Sequence, residues 1–245
     1  MFEVAAAAAL AKDKNALLVI NPTEHILPNQ GRNINNYVNN VFSRIYLDNK
    51  PPVQTDVKVE SIYHQPIPYQ PNCRLWGHFQ SFKYFDHHRE YIKRLFGPTM
   101  DVEAELERNY FMEDAAKVTA IQVRRGDYVK FPDHHPLLPP EYYVKAVKMA
   151  GDAPVWIFSD DIEWCKKNLN FGEETRYIKD EDFMEMYLMG LCKNIVISNS
   201  SFGWWAAYLG KAKVFAPNPW FGPSLIKDGF KMDDLIPPDW TLINV

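Results

Sequence analysis

The second half of the chain alternates short apolar runs with longer segments that have helical periodicity. The apolar runs are VTAIQV (residues 118–123), VWIFS (155–159), TRYI (175–178), NIVIS (194–198) and KVFAP (213–217). Strands that alternate with helices form a parallel sheet, because a right-handed helical crossover returns the chain to the same end of the sheet. The runs are mostly apolar throughout rather than at every second residue, as expected of strands that helices cover on both faces. This half therefore predicts an α/β domain with a parallel sheet.

The first half is less regular and contains many prolines. Its predicted elements are a helix over residues 2–12 with five consecutive alanines, a strand over 16–20, a strand over 74–81 and a helix over 82–96. A change in pattern at residues 109–116 separates the two halves. We predict two open α/β domains with a cleft between them, residues 1–115 and residues 116–245.

Charged and polar residues directly follow three of the predicted strands. They are Arg124, Arg125 and Asp127 after the first, Ser159, Asp160 and Asp161 at the end of the second, and Ser198, Asn199, Ser200 and Ser201 after a later one. Ligands of such sheets bind beyond the carboxyl ends of the strands. Arginine suits phosphate groups, and carboxylates and hydroxyls suit a base and a ribose. The pattern predicts a site for a sugar nucleotide.

The run SNSS leads into a predicted helix, whose free backbone N–H groups and dipole would favour an anion. Each of these features also has a purely structural interpretation. The arginines and Asp127 are compatible with a salt-bridged turn, and both the Asp160-Asp161 pair and the serine run are compatible with helix capping. Trp204 and Trp205 are typical of core packing rather than of ligand stacking. These alternatives stay open at this point.

Composition excludes several classes of function. The net charge of −4 argues against a nucleic-acid-binding protein, so an anionic ligand must be held by a local cluster of arginines. No run approaches the ~20 apolar residues that a membrane span needs. Three separate cysteines without a CxxC pair indicate a reducing compartment rather than a disulfide framework. The adjacent pairs His87-His88 and His134-His135 should diverge on a helix, so we expect no structural metal site.

Three segments together resemble motifs of a known family. VRRGDYV, IFSDDIEWC and SNSSFGWWAAYL are similar to the three C-terminal motifs of glycosyltransferase family 11, the α-1,2-fucosyltransferases. GHFQSFKYF is similar to a further element of this family, and MFEVAAAAALA resembles the helix that follows its N-terminal glycine loop. The resemblance covers nearly the whole chain in the order and spacing of the family.

The resemblance implies a GT-B fold of two facing Rossmann-like domains, with an acceptor-side domain over residues 1–115 and a nucleotide-sugar-binding domain over residues 116–245. It implies transfer of L-fucose from GDP-β-L-fucose, with inversion, to a galactose-type hydroxyl of a glycan in α-1,2 linkage. The implied partners are a nucleotide sugar and a glycan acceptor, and no metal or other cofactor is implied. Because no anchor precedes the helix in this sequence, we expect a cytoplasmic protein, with peripheral membrane association left open.

The resemblance also assigns roles to individual residues. Arg124 matches the arginine that holds the donor diphosphate, and Asp127 matches the aspartate that steadies its loop; these two are the expected catalytic residues. The expected donor-binding residues are Gln122, Arg125, Ser159, Asp160, Asp161, Ser198, Asn199, Ser200, Ser201 and Phe202. No general base is evident, and Glu24 and His25 are candidates by polarity alone.

The sequence departs from the family pattern in two places. Gln122 stands where the family has histidine, and glutamine cannot become cationic. The glycine-rich stretch GxxGNQ precedes MF in the family, whereas this sequence begins at Met1-Phe2, so we expect an N-terminal domain truncated at its start. Two alternatives therefore remain: a related transferase with another nucleotide sugar, and an inactive relative that only binds a glycan or a partner.

Overall fold

Contacts within the chain divide it into two units. The computed structural model describes residues 1–23, 34–53, 55–59, 63–151 and 153–245. The first unit comprises Met1–Thr99 and Asp233–Ile236, and the second comprises Met100–Met232 and Pro237–Val245. None of the helices in these described ranges is both long and apolar enough to cross a membrane.

The first unit contains two helices and two pairs of parallel strands among its described residues. Its elements are α1 (Phe2–Asp13), β1 (Val19–Ile20), β2 (Tyr46–Leu47), β3 (Thr55–Val59), β4 (Cys73–Gly77) and α2 (Arg89–Leu95), with 3-10 turns at Ile34–Asn36, Phe82–Tyr84 and Asp86–His88. β1 pairs with β2, and β3 pairs with β4. Ala5, Ala6, Ala8 and Ala9 of α1 are completely buried, so the small side chains of the alanine run let this helix pack closely against its neighbours.

Three predicted elements of the first unit are shorter in the structure. The strand predicted over residues 16–20 is limited to Val19–Ile20. The strand predicted over residues 74–81 ends at Gly77, where the backbone adopts φ of +152°, and Phe79 takes a left-handed conformation. A Cβ at Gly77 would lie 2.4 Å from the carbonyl oxygen of Val59, so only glycine fits there. The helix predicted over residues 82–96 is interrupted because Phe85, which is buried, has φ of −141°; α2 begins only at Arg89.

The second unit is an α/β unit, and most of its elements fall where the sequence predicts them. Its elements are α3 (Met100–Tyr110), α4 (Met112–Ala115), β5 (Thr119–Val123), α5 (Pro140–Ala150), β6 (Val155–Ser159), α6 (Ile162–Asn168), β7 (Arg176–Ile178), α7 (Asp182–Leu191), β8 (Asn194–Val196), α8 (Ser201–Leu209), β9 (Lys213–Asn218), α9 (Pro223–Lys227) and β10 (Thr241–Asn244), with a 3-10 turn at Gly126–Lys130.

Six parallel strands form the sheet of this unit in the order β7-β6-β5-β8-β9-β10. The chain adds β6 and β7 on one side of β5, and then returns to add β8, β9 and β10 on the other. The direction of winding therefore reverses between β5 and β8. In open α/β sheets, ligands bind beyond the carboxyl ends of the strands at such a switch point.

The core of the second unit lies on both faces of this sheet. Every residue of β5 and β6 is buried, as the continuous apolar runs predict. α5 contributes Tyr142 and Tyr143 to a cluster with Ile121 and Ile157, which pair across the sheet. Trp204 is completely buried and stacks on Tyr208 at a centroid distance of 4.9 Å, so the packing interpretation of this tryptophan holds. The observed architecture confirms the predicted α/β fold class.

The boundary between the units lies before α3, whereas the sequence pattern predicts a domain boundary between residues 115 and 116. α3 and α4 pack on α7, which explains their grouping with the second unit. The domain assignment itself stays a prediction.

Candidate functional site

Ser198 joins the ends of the two strands that flank the switch point. Its hydroxyl donates to the carbonyl oxygen of Gln122 at 2.9 Å and accepts the backbone N–H of Arg124 at 3.0 Å. The Tyr143 hydroxyl lies 2.9 Å from the same oxygen and must be the donor, because the single serine proton is already used. Ser198 is completely buried, so it holds the strand ends together rather than facing solvent.

Arg124 lies just beyond β5 and is held by two carboxylates. Nη2 donates to Asp127 Oδ1 at 2.6 Å, and Nη1 lies 2.9 Å from Asp160 Oδ2. Its guanidinium also lies 5.5 Å from the ring centroid of Tyr128. The side chain is partly accessible, and its orientation is fixed by groups from the ends of β5 and β6.

Asp160 connects the turn after β5 to the end of β6. Its Oδ1 accepts the backbone N–H of Arg125 at 2.9 Å, while its Oδ2 pairs with Arg124. This approach depends on Gly126, because a Cβ at that position would lie 2.5 Å from Asp160 Oδ2. The RRGD segment therefore needs its glycine so that the carboxylate can reach Arg124.

Arg125 and Asp161 form a second pair beside the first. Nε of Arg125 lies 3.1 Å from Asp161 Oδ2, and the guanidinium lies 4.0 Å from the ring centroid of Trp164. Asp161 also caps α6, because its Oδ1 accepts the Trp164 N–H at 3.1 Å. Ser159 in turn accepts the Asp161 N–H at 2.9 Å. These contacts support the capping interpretation for Asp161 and occupy both of its oxygens.

The charges of this cluster do not favour an anion by themselves. Two guanidinium groups, of Arg124 and Arg125, face three carboxylates, of Asp127, Asp160 and Asp161. The cluster thus carries one net negative charge. The two carboxylates each contact one terminal nitrogen of the Arg124 guanidinium, so a pyrophosphate on this side chain would compete with them for its positive charge. Asp127, with 60% of its side chain exposed against 27% for Asp160, is the easier of the two to displace.

The serine run places four neighbouring side chains in different environments. Asn199 is buried, and its Nδ2 donates to the carbonyl oxygens of Pro136 and Trp220 at 3.2 and 3.1 Å. Ser200 caps α8 by accepting the N–H of Phe202 at 3.3 Å. Ser201 is exposed and Phe202 half-buried, so these two are the accessible members at the start of the helix.

Gln122, which replaces the histidine that the resemblance implies, is buried beneath the first turn of α8. Its Oε1 accepts the Ser198 N–H at 3.2 Å. A Cβ at Gly203 of α8 would lie 2.6 Å from this Oε1, so the glycine makes room for the amide. Gln122 therefore supports the switch point from inside the unit.

Tyr128 and His135 also belong to the site, although neither is among the site residues predicted from the sequence. The Tyr128 hydroxyl donates to the Asn199 carbonyl at 3.0 Å, and its ring stacks on that of His135 at 4.4 Å. Burial raises the pKa of Tyr128 to about 12, which keeps the hydroxyl protonated, and burial lowers the pKa of His135. Tyr128 lies within the RRGDY segment and had a sequence signal; His135 comes from a proline-containing loop that gave none.

Two buried polar atoms of this region have no hydrogen-bond partner in the described part of the chain: Asn199 Oδ1 and His135 Nδ1. A buried polar atom without a partner is costly, and a bound ligand or a water molecule would supply the missing hydrogen bond. The candidate bases Glu24 and His25 lie outside the described residues.

The cysteines do not supply a nucleophile to this region. All three are free, and Cys165 and Cys192 are buried. Burial raises the pKa of Cys165 to about 11 and that of Cys192 to about 12, so both thiols are protonated at neutral pH.

Sequence comparison matches residues 16–244 to the family described as Glycosyl transferase family 11. The chain is 30% identical over 160 residues to an alpha-1,2-colitosyltransferase of Escherichia coli, a match that covers 59% of this chain and 55% of that protein. It is 28% identical over 182 residues to a galactoside 2-alpha-L-fucosyltransferase of Caenorhabditis elegans, with 66% and 50% covered. The chain spans about half the length of the curated relatives it matches.

Structure comparison finds a likeness to the fucosyltransferase NodZ from Bradyrhizobium. The TM-score is 0.57 at 11% sequence identity, and the match covers 85% of this chain and 88% of the other. At this identity the likeness bears on the fold alone, and it agrees with the GT-B type that the family resemblance implies.

Proposed function

The chain belongs to glycosyltransferase family 11, and from this membership we propose that it transfers L-fucose from GDP-β-L-fucose to a galactose-type hydroxyl of a glycan, with inversion and in α-1,2 linkage. The fucosyl transfer named for the Caenorhabditis elegans relative supports the choice of sugar and linkage. The observation that carries the proposal is the position of Arg124, at the carboxyl end of β5 beside the start of α8.

The proposed chemistry follows from the charge that develops on the leaving group. As the bond between fucose and GDP breaks, the departing β-phosphate becomes more negative. Contacts that strengthen with this charge lower the barrier, whereas contacts that are equally strong before and after do not. Arg124 would supply such a contact, and the first N–H groups of α8 would add a second positive pole.

Asp127 would act on Arg124 rather than on the sugar. Its contact with Nη2 orients the guanidinium before the donor arrives, and its exposure allows the diphosphate to replace it. Asp160 would keep the other side of the guanidinium fixed throughout. In this scheme the diphosphate takes the place of Asp127 on a guanidinium that Asp160 already holds, instead of binding a free cation.

We further propose that the reaction needs no divalent metal. A guanidinium and a helix N-terminus would carry the role that Mg²⁺ or Mn²⁺ has in metal-dependent transferases. The acceptor hydroxyl would attack a fucosyl centre with oxocarbenium character, which reduces the demand on a general base. Transfer that disappears with EDTA and returns with manganese would refute this part of the proposal.

The test is a transfer assay on the whole chain with GDP-fucose and a panel of galactosides, with products detected by mass spectrometry. We expect Arg124→Ala to reduce transfer by ~10²–10³-fold while the protein stays folded. Arg176→Ala is the matched control, because Arg176 is an exposed arginine at the amino end of β7 in the same sheet. Full transfer by a folded Arg124→Ala protein would contradict the assignment.

A second donor has support from one relative. The Escherichia coli protein is named for colitosyl transfer, so a donor with that sugar is the specific alternative to GDP-fucose. Saturation-transfer NMR with GDP-fucose, GDP-colitose, GDP-mannose and UDP-galactose separates these donors by the protons that contact the protein. Binding of a GDP-sugar without hydrolysis or transfer would instead favour an inactive relative.

A further inference from the structure

Three potential metal ligands lie close together within the first unit, and none of them belongs to the candidate site. His87 Nε2 lies 3.0 Å from Asp13 Oδ2, and His88 Nε2 lies 2.7 Å from Asp13 Oδ1. One ligand atom from each of these three residues can be chosen so that all three lie within 4.8 Å of one another. Asp13 ends α1, and the two histidines immediately precede α2.

The convergence of His87 and His88 corrects the expectation that adjacent histidines diverge. That expectation assumed a regular helix, in which neighbouring side chains point about 100° apart. The pair instead lies in the 3-10 turn Asp86–His88, and His88 has φ of −119° and ψ of +31° before α2 begins. The two rings are brought to a centroid distance of 4.4 Å, and both Nε2 atoms face one carboxylate.

We propose that Asp13, His87 and His88 bind a divalent transition-metal ion of the Zn²⁺ type. Zinc binds imidazole nitrogen at ~2.0–2.1 Å and carboxylate oxygen at ~2.0–2.2 Å, so ligand atoms around a tetrahedral ion lie roughly 3.3 Å apart. The separations of 2.7 and 3.0 Å between the carboxylate and the imidazoles are a few tenths of an ångström shorter than this. To hold the ion, each Nε2 atom would move away from its carboxylate oxygen by this amount, and the other separations among the three ligand atoms, all within 4.8 Å, would adjust to the same value.

The ligand set selects the class of metal. Imidazole suits Zn²⁺, Ni²⁺, Co²⁺ and Cu²⁺, whereas Mg²⁺ and Ca²⁺ prefer oxygen ligands alone. Coordination through Nε2 requires that each neutral ring carry its proton on Nδ1. Neutral rings that donate Nε2–H to Asp13 must therefore change tautomer when the ion binds, with no net loss of protons from them. Water would complete the coordination, as it does in zinc sites with three protein ligands.

Exposure allows an ion to enter, and packing limits the freedom of the ligands. Asp13 and His87 are exposed, while His88 is half-buried and meets the ring of Tyr91 edge-on at 6.4 Å. The bound ion would connect the end of α1 to the beginning of α2. An ion that binds the folded chain alone raises its stability in proportion to the logarithm of its concentration.

The competing interpretation is that the two imidazoles only hydrogen-bond to Asp13. The two interpretations differ in their response to metal and to Asp13→Asn. An asparagine keeps the shape of the side chain and its capacity for hydrogen bonds, but it is a far weaker metal ligand than a carboxylate. A hydrogen-bonded cluster has no reason to gain stability from Zn²⁺, whereas a metal site does.

The test is isothermal titration of the whole, tag-free chain with Zn²⁺ and Ni²⁺ at pH 7.5, together with thermal unfolding. We expect one ion per chain and a rise in melting temperature of about 5 to 10 °C at ~100-fold excess over the dissociation constant. His87→Ala, His88→Ala and Asp13→Asn should each weaken binding at least tenfold.

Two control variants make the result specific. His78→Ala removes an exposed histidine from the same unit, and Cys73→Ser removes the only cysteine that is not buried; both should bind as the parent chain does. Unchanged binding in Asp13→Asn, loss of binding in Cys73→Ser, or no heat of binding in the folded parent chain would each overturn the proposal. Because these readouts do not use transfer activity, they are independent of the proposed function.

Discussion

At the scale of single residues, the two carboxylates on Arg124 differ in how firmly they are held. Asp160 has both oxygens engaged, one by Arg124 and one by the Arg125 N–H, and it is largely covered. Asp127 is mostly exposed and contacts Arg124 through one oxygen. An exposed ion pair is worth little, commonly below ~1 kcal/mol. In the proposed scheme, the exchange of Asp127 for a phosphate oxygen would therefore cost little free energy.

Asp127→Asn tests this exchange. We expect GDP to bind about twofold to fivefold more tightly, because one negative charge is removed near the phosphates at the cost of a weak pair. Transfer should slow about tenfold, because a neutral amide orients the guanidinium less well. Titration calorimetry and initial rates measure the two effects separately. Asp133→Asn, at an exposed position in the following loop, is the control, and weaker GDP binding with an unchanged rate would contradict the scheme.

His135 gives a pH-dependent prediction. Burial lowers the pKa of His135 below its value of ~6.5 in the unfolded chain, so near that pH the unfolded chain binds a proton more readily than the folded chain. The resulting loss of folding stability is absent well above pH ~6.5 and grows as the pH falls below it. We expect the stability of the parent chain relative to His135→Gln to decline between pH 8 and pH 5 in urea unfolding. His134→Gln controls for loss of an imidazole from this loop, and a constant difference between parent and His135→Gln would contradict the expectation.

The sequence identifies which residues lie at the strand ends but not which of them face a ligand. Ser198 and Ser201 look alike in the motif, yet one is completely buried and the other exposed. Their difference depends on Tyr143, which reaches Ser198 from α5, 55 residues earlier in the chain. His135 likewise joins the site through its stacking on Tyr128. Contacts of this range are set by tertiary packing, which a local motif does not encode.

At the scale of elements, α7 and α8 approach closely through two glycines. A Cβ at Gly210 would lie 2.4 Å from the Gly190 carbonyl oxygen, and a Cβ at Gly190 would lie 3.2 Å from Gly210 Cα. Gly190 is in the last turn of α7, and Gly210 directly follows α8. This approach fixes the position of α8, whose first turn forms one side of the candidate site.

Gly210→Ala should therefore destabilise the chain. A methyl group cannot fit against backbone atoms without moving one of the two helices, and such overpacking costs ~1–3 kcal/mol. Urea unfolding compared with Lys211→Ala, the exposed neighbour, measures the loss. A variant as stable as the parent chain would show that the helices separate without cost.

Regular elements were predictable where the sequence pattern is continuous. The strand VWIFS has the predicted bounds, because five consecutive buried residues between two turn signals define both ends of the strand. The helix predicted over residues 82–96 forms only from Arg89 to Leu95, because the backbone of the buried Phe85 leaves the helical region. β10 pairs with β9 after a long irregular segment, and only the completed sheet gives that short strand a partner.

At the scale of the whole molecule, the candidate donor site and the proposed metal site lie in different units of the described structure. The residues expected to bind the donor all belong to the second unit, whereas the proposed metal ligands belong to the first. The fold class can be predicted because strands and helices alternate along the sequence. The identity of the acceptor glycan cannot be predicted in this way, because acceptor contacts are usually supplied by variable loops and the chain spans only about half the length of the curated relatives it matches.

Hydrogen exchange on the whole chain tests where the donor binds without assuming that it is turned over. If GDP occupies the switch point, amides of the turn after β5 and of the start of α8 should exchange more slowly, over residues 124–130 and 198–203. GDP would hold these segments through the phosphates, so Arg124→Ala should remove the protection, whereas Arg176→Ala should retain it. UDP is the control for recognition of the nucleotide base, because it carries the same diphosphate as GDP but uracil in place of guanine. Protection confined to the first unit would show that GDP binds away from Arg124. This conclusion would hold whether or not the protein transfers a sugar.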